Sequence, residues 1–467
     1  MEQKIRAPGL SGAALFAQRA MKPIKPIIRP VTSRGPSLAR RFRTLREQPF
    51  FRPLAALSFL GPGLIAANAG NDAGGITTYA AVGAQYGYSL LWMLIPITIS
   101  MAVVQEMCAR MGAATNKGLS DLIRERFGVR GAAFAMLTLF IANTLLTISE
   151  FAGIAAASDL LGIPRWVSIP LVVFGLWLLI TRGSYSRAEK VFLVMTLAFF
   201  TYPVAAILAH PDWGQVALQI VHPTTRITNA YLLLFVGTVG TTITPYMQLF
   251  IQSSVAEKRI PLEKYPEERT DAYTGAIFGD IISAFIIIAT GATIFVASKG
   301  VGVQLQSAEQ AAMALAPAAG QYATILFAIG LIGASVLAAA VVPLTTAYNV
   351  CESFGFERGV STSFRQAPIF HSIFLGLLIA GALVSLLIPS ALLVSLIIIA
   401  QVINGVLLPI LLVFIVILVN DRVIMGKLAN GRINNAIAYT TVVALSALSL
   451  IMIVSVVLPL FGVPFLQ

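Results

Sequence analysis

Asn68-Ala69-Gly70-Asn71-Asp72-Ala73-Gly74-Gly75 interrupts a run, roughly 54–86, that is otherwise apolar. An acid, two amides and three glycines stand where a helix crossing about 30 Å of hydrocarbon needs apolar, helix-forming residues. A second run, roughly 229–256, carries Gly237-Thr238-Val239-Gly240-Thr241-Thr242-Ile243-Thr244-Pro245. Glycine disfavours a helix interior and proline removes a backbone donor. Each segment is expected to unwind, and backbone groups freed at that depth must line a cavity or a site rather than face lipid.

Outward from these two stretches the pattern is uniform. Of 467 residues, 57% are hydrophobic and 11% charged, whereas a soluble domain carries about one-quarter charged residues. Repeated long apolar runs exclude a globular core. Eleven spans are predicted, at roughly 54–86, 89–112, 131–161, 165–181, 188–209, 229–256, 271–298, 321–352, 367–388, 391–419 and 435–461.

The 32 basic residues support this count. Twelve lie in the first 52 residues and seventeen in alternate loops, and only Arg165, Arg226 and Lys299 fall on the other side. By the positive-inside rule the N-terminus is cytoplasmic and the C-terminus outside. The net charge of +12 is read as this topological signal plus attraction to anionic lipid headgroups, not as a nucleic-acid footprint. Residues 1–52, basic and rich in Pro and Ser, read as a partly disordered cytoplasmic tail without the apolar core of a cleaved signal. Residues 53–467 form the membrane domain.

The breaks fall in spans one and six. That spacing predicts an all-α fold with an inverted repeat of five plus five helices, about 53–210 and 226–420, and an extra helix at about 434–461. Unwound carbonyls and helix C-termini at such paired breaks carry partial negative charge and hold cations. Asp72, with no Lys or Arg near mid-span, is the first candidate ligand. Glu150 in the third span and Asp280 in the seventh suit either an ion or proton role or buried hydrogen bonding. Gln401 and Asn404 share a face of the tenth span, where Gln401 can offer a neutral oxygen and either can bond between helices. Glu106 and Asp159, nearer helix ends, read as structural. His210, His222 and His371 lie away from the breaks, which argues against a histidine relay. Cys108 and Cys351 are far apart, without metal-ligand spacing, and read as packing residues. No nucleophile–base pair, HExxH or phosphate loop is present, so no enzyme class is indicated and no cofactor is expected.

Taken together, Gly61-Pro62-Gly63, Asn71-Asp72-Ala73-Gly74-Gly75, Thr241 to Met247, and Arg422-Val423-Ile424-Met425-Gly426 resemble the NRAMP (natural resistance-associated macrophage protein) family of divalent-metal transporters. The resemblance covers roughly 50–460 and implies a LeuT-like fold with helices 1 and 6 unwound at mid-membrane. It implies a metal site in which the family's aspartate is Asp72. The family's asparagine position is Gly75, its carbonyl-bearing alanine Thr241, and its methionine Thr244. The histidine after the proline becomes Tyr246, a third-helix aspartate becomes Thr147, and a nearby glutamate is kept as Glu150. Asp280 aligns with a polar family position.

Losing the thioether leaves hard oxygens, which disfavour soft transition metals. A roomy oxygen site with one carboxylate suits a partly hydrated Mg2+, which dehydrates reluctantly, and Mn2+ as well. This is similar to the divergent NRAMP-related magnesium transporters. With Tyr246 and Thr147 in the family's proton path, import without proton coupling is expected, by a monomer in a prokaryotic plasma membrane. The alternatives are proton-coupled Mn2+/Fe2+ transport and, less well matched to an acid in the first break, an organic-solute transporter of the same fold.

Overall fold

A computed structural model describes residues 70–182, 201–222, 228–359 and 362–461. The basic tail, the first part of the first span with Gly61-Pro62-Gly63 and Asn68, and residues 188–200 of the fifth span lie outside the described residues.

Among the described residues eight helices are long and apolar enough to cross a membrane. They are α2 (Leu94–Thr115), α3 (Leu119–Leu160), the pair α6 (Asn229–Thr242) and α7 (Pro245–Glu257), α8 (Tyr265–Thr290), α9 (Ala323–Phe354), α10 (Pro368–Leu387), α11 (Leu393–Asn420) and α12 (Arg432–Leu460). A shorter apolar helix, α4 (Arg165–Arg182), matches the fourth span. α1 (Ala73–Tyr86) and α5 (Thr201–Leu208) are the described parts of the first and fifth. The chain is an integral membrane protein, and its apolar outer surface is consistent with lipid as its solvent: Trp166 and Leu171 on α4 and Val443 and Leu450 on α12 are exposed.

Contacts between helices five spans apart carry the repeat. Tyr86 of α1 meets Tyr231 of α6 edge to face at 5.3 Å, and Gly75 lies against Thr241. Thr98 of α2 bonds Asp280 of α8, while Glu106, two turns later, meets Tyr265 near the start of α8. Asn143 of α3 bonds Thr346 of α9, and Gly153 lies against Ser335. Arg165 at the start of α4 donates to Ser385 and Ile388 at the end of α10. In each pair one number rises as the other falls, or a helix start meets a helix end. Spans 1/6, 2/7, 3/8 and 4/9 therefore run antiparallel, as an inverted repeat requires.

Two boundaries differ from the sequence reading. The third helix begins at Leu119 rather than near 131, because Leu119–Phe127 is an amphipathic turn-in. It buries Leu119, Leu122 and Ile123, exposes Arg124, Glu125 and Arg126, and kinks at Gly128 with φ 69°. The helix of the seventh span begins at Tyr265 rather than 271. Pro266 stands in its first turn with Glu267 and Glu268 beside it, a favourable helix start. Between the fifth and sixth spans lies a further helix, Trp213–Val221, whose Asp212 cap accepts from the Gln215 amide at 3.1 Å.

Candidate cation site

The first described helix opens on its acid. Asp72 has extended backbone, and its Oδ1 accepts from the Gly75 amide at 2.8 Å, an N-cap that satisfies one of the helix's free N–H groups. The neighbouring Ala73 amide donates to Glu150 Oε2 of α3 at 3.2 Å. Two carboxyl groups thus stand side by side at the start of α1, Asp72 1% and Glu150 0% exposed. Their other oxygens, Asp72 Oδ2 and Glu150 Oε1, have no partner among the described residues. Two charged carboxylates this close and this dry need a counter-charge or a proton between them.

The sixth span stops and restarts. α6 ends at Thr242; Ile243 (φ −112°, ψ 70°) and Thr244 (φ −74°, ψ 143°) are non-helical; Pro245 opens α7 without needing a donor. The last carbonyls of α6 lack intrahelical partners, as at any helix C-terminus. The hydroxyls of Thr241 and Thr244 are fully buried and have no partner among the described residues. Thr241 Oγ1 lies 3.3 Å from where a side chain at Gly75 would begin, which places the two breaks against each other.

The third wall is α11. A Cβ at Gly74 would overlap the Gln401 amide, and one at Gly240 would overlap the Gln401 carbonyl. Close approach, of the Gln401 side chain at Gly74 and of the α11 backbone at Gly240, is what these glycines supply rather than turn geometry. Both amide atoms of Gln401 and of Asn404 are buried without a partner among the described residues.

The structure therefore brings Asp72, Glu150, Gly75, Thr241 and Gln401 together, with Thr244 at the edge of the same break. It places the other candidates differently. Asp280 accepts a hydrogen bond from Thr98 at 2.5 Å, next to Gly279 and one turn before Ser283, which hold the Asn71 side chain at 3.3 and 3.1 Å. Thr147 donates to the Asn143 carbonyl of its own helix at 2.7 Å and turns its methyl toward Gly381 of α10. Tyr246 is fully buried in a cluster with Leu146, Met247, Leu337, Val341 and Val342, within electrostatic reach of Asp72 and Glu150. Glu106 pairs with Arg110 at 3.3 Å, and Asp159 accepts from Ser390 at 3.1 Å. Among the described residues no three His, Cys, Asp or Glu side chains converge as a metal cluster. Any cation at the breaks would be held by one or two carboxylates and neutral oxygens, as hard divalent cations commonly are.

The sequence reading passed over Asn71, Tyr79 and three buried glutamines, Gln105, Gln248 and Gln252. Their signal was present: amides inside apolar spans, two of them four residues apart.

Comparison with known proteins agrees with this geometry. The manganese transporter of Eremococcus coleocola shares the fold at a TM-score of 0.71, with 22% identity over 89% of each chain. Mhp1, a nucleobase-cation-symport-1 family transporter, superposes at 0.51 with 14% identity, covering 86% of this chain and 92% of its own. The fold is thus LeuT-like, five plus five helices with an eleventh. Proteins named divalent metal cation transporter MntH are 28% identical in Deinococcus radiodurans (84% of this chain, 88% of the relative) and 26% in Ralstonia nicotianae (86% and 92%). The sequence profile of the natural resistance-associated macrophage protein-like family matches residues 63–455, and the chain belongs to that family.

Proposed function

We propose that the protein imports a divalent metal cation, Mg2+ and also Mn2+, by alternating access around the two breaks. The observation that carries this is the oxygen set at the breaks: Asp72 Oδ2, the Thr241 and Thr244 hydroxyls and the Gln401 amide, all buried and unpartnered among the described residues. The α6 carbonyls at Thr241 complete the set. No sulfur takes part, and Gly75 leaves room for water. Hard oxygens and retained water suit Mg2+ and Mn2+ better than soft ions. Asp280 contributes through water from its place beside Thr98. The relatives named as divalent metal cation transporters support the substrate class.

Import runs without proton coupling. An inside-negative potential is worth about 2.3 kcal/mol per elementary charge per 100 mV, so a divalent cation is drawn inward unaided. The N-terminus and its basic tail lie on the cytoplasmic side of a prokaryotic plasma membrane, against anionic headgroups, and the C-terminus lies outside. The protein works as a monomer, without nucleic acid or cofactor.

One observation favours a second reading. The Ala73–Glu150 bond sets a second carboxyl beside Asp72, and such a pair can hold a proton that an arriving cation displaces. Released inward with the metal, that proton would make the transport a Mn2+/H+ co-transport.

Flux into proteoliposomes with Mg2+, Mn2+ and Cd2+, with internal pH followed, separates these. Entry of Mg2+ and Mn2+, little Cd2+ and no pH change is expected. Metal-driven acidification of the interior that disappears in Glu150→Gln would replace the uncoupled reading with the proton-coupled one. No divalent flux at all would sink both.

A further inference from the structure

Below the sixth-span break, α7 carries polar side chains on one stripe. Thr244, Gln248 and Gln252 follow at intervals of four residues, so they share a face and descend about 6 Å per step. All three are fully buried. Thr244 Oγ1, both Gln248 amide atoms and Gln252 Oε1 have no partner among the described residues. A buried amide without partners costs about 1–3 kcal/mol per orphaned group, so a row of them is not a packing choice.

A third amide faces the same row. α2 runs parallel to α6 and α7, since Trp92 just before α2 stacks near Phe235 (5.9 Å) and Gly112 near its end abuts Gln252. Gln105 lies two turns above Gly112 on the same face, which sets it level with the start of α7. Both its amide atoms are buried and unpartnered among the described residues. The row ends at the cytoplasmic turn after α2. There Gln252 Nε2 donates to the Lys117 carbonyl at 3.2 Å, and Gly118 packs against the Glu352 carboxylate.

We propose that Gln105, Gln248 and Gln252 line the cytoplasmic half of the cation path and pass a hydrated divalent ion from Thr244 to the Lys117–Gly118 turn. This rests on the function proposed above. The chemistry fits a release path. The amide oxygens can accept from the outward-pointing protons of a cation's water shell. Lacking charge, they do not trap the ion, as conduction through a site requires.

Two measurements test it. In a Cys108→Ala, Cys351→Ala background, Gln252→Cys should react with a membrane-impermeant methanethiosulfonate reagent applied from the cytoplasmic side, at least tenfold faster than Phe250→Cys, which lies about 160° round the helix and packs against the core. Equal rates, or no reaction at 252, would overturn the path. This readout needs no transport, so it stands even if wild-type protein moves no divalent ion and the functional reading falls. Second, Gln248→Leu should lower Mn2+ influx at least tenfold while Mn2+ affinity, measured by calorimetry, stays within twofold. Influx equal to wild type would overturn the proposal. If Gln248→Leu does not purify as a monodisperse protein, Gln248→Ala read by the same flux and affinity decides the point in the same way.

Discussion

In the first span the chain enters its described helix through a carboxylate: Asp72 caps the Gly75 amide with one oxygen and leaves the other unpartnered among the described residues. In the sixth span the helix ends at Thr242 and resumes at Pro245 across two residues that carry a sec-butyl side chain and a hydroxyl but no charge. The two breaks meet at Gly75 and Thr241. One is therefore a charged edge at the positive end of a helix, the other a neutral edge at the negative end of its partner. The charged edge supplies attraction for a cation, and the neutral edge, with its oxygen identities, supplies choice between cations.

The sharpest way to break that contrast is to remove the charge and keep the cap. Asp72→Asn leaves a side chain that caps helices about as well as aspartate. Helix α1 should persist while divalent flux falls at least about hundredfold, equivalent to about 2.7 kcal/mol or more. Asp72→Ala loses both and should abolish flux outright. Flux within threefold of wild type in Asp72→Asn would make the carboxylate a structural cap and nothing more.

The neutral edge is probed next. Thr244→Met introduces a soft ligand where a hydroxyl now stands and should raise the Cd2+-to-Mg2+ flux ratio about tenfold or more, about 1.4 kcal/mol of relative preference. Pairing it with Gly75→Asn, as the sequence alone suggests, is the poorer experiment. A Cβ at Gly75 would overlap the Gly70 carbonyl, so that double variant would reshape the break as well as change its ligands. An unchanged ratio in Thr244→Met would remove position 244 from the site.

What could be read beforehand follows the same division. The spans, their count and both interruptions were legible because lipid punishes charge and unpaired backbone at every depth, which writes itself into composition. The descent of α7 through Gln248 and Gln252 was equally present as a spacing of four, yet a lone chain does not say which face meets protein and which meets lipid. The placement of Glu150 beside Asp72 was not legible at all. The two are 78 positions apart, and their meeting depends on how α3 is rotated against α1, a packing outcome fixed by pairs such as Gly153 against Ala73. Asp280 shows the reverse case: its intramembrane position drew attention from the sequence, but its carboxylate is held by Thr98 on a different helix pair.

A smaller effect tests how the two edges are kept in register. Gly74 lets the charged edge approach α11, and Gly74→Ala would drive a methyl into the Gln401 amide. That amide is the end of a flexible side chain, so it can swing away without moving backbone. Flux should then drop about tenfold through loss of the Gln401 oxygen, and Gln401→Ala in the same protein should cause little further loss, because coupled residues do not add. Independent, multiplying losses would mean that Gln401 does not act with the first break.

The smallest expected change separates holding the breaks together from binding the ion. Tyr79 of α1 and Thr242 of α6 share a hydrogen bond of 2.8 Å, and the Thr242 hydroxyl also donates to the Thr238 carbonyl at 2.7 Å. Both oxygens have partners, unlike Asp72 Oδ2 and the Thr241 hydroxyl. Thr242→Val keeps the shape and removes the bond. A net hydrogen bond between buried groups, in a membrane as in water, is worth about 1 kcal/mol. Thermal stability in detergent should fall by that order while the Mn2+ affinity and the Cd2+-to-Mg2+ ratio stay as in wild type. A shift in either ion measurement would place Thr242 among the ligands and move the boundary of the neutral edge one residue into α6.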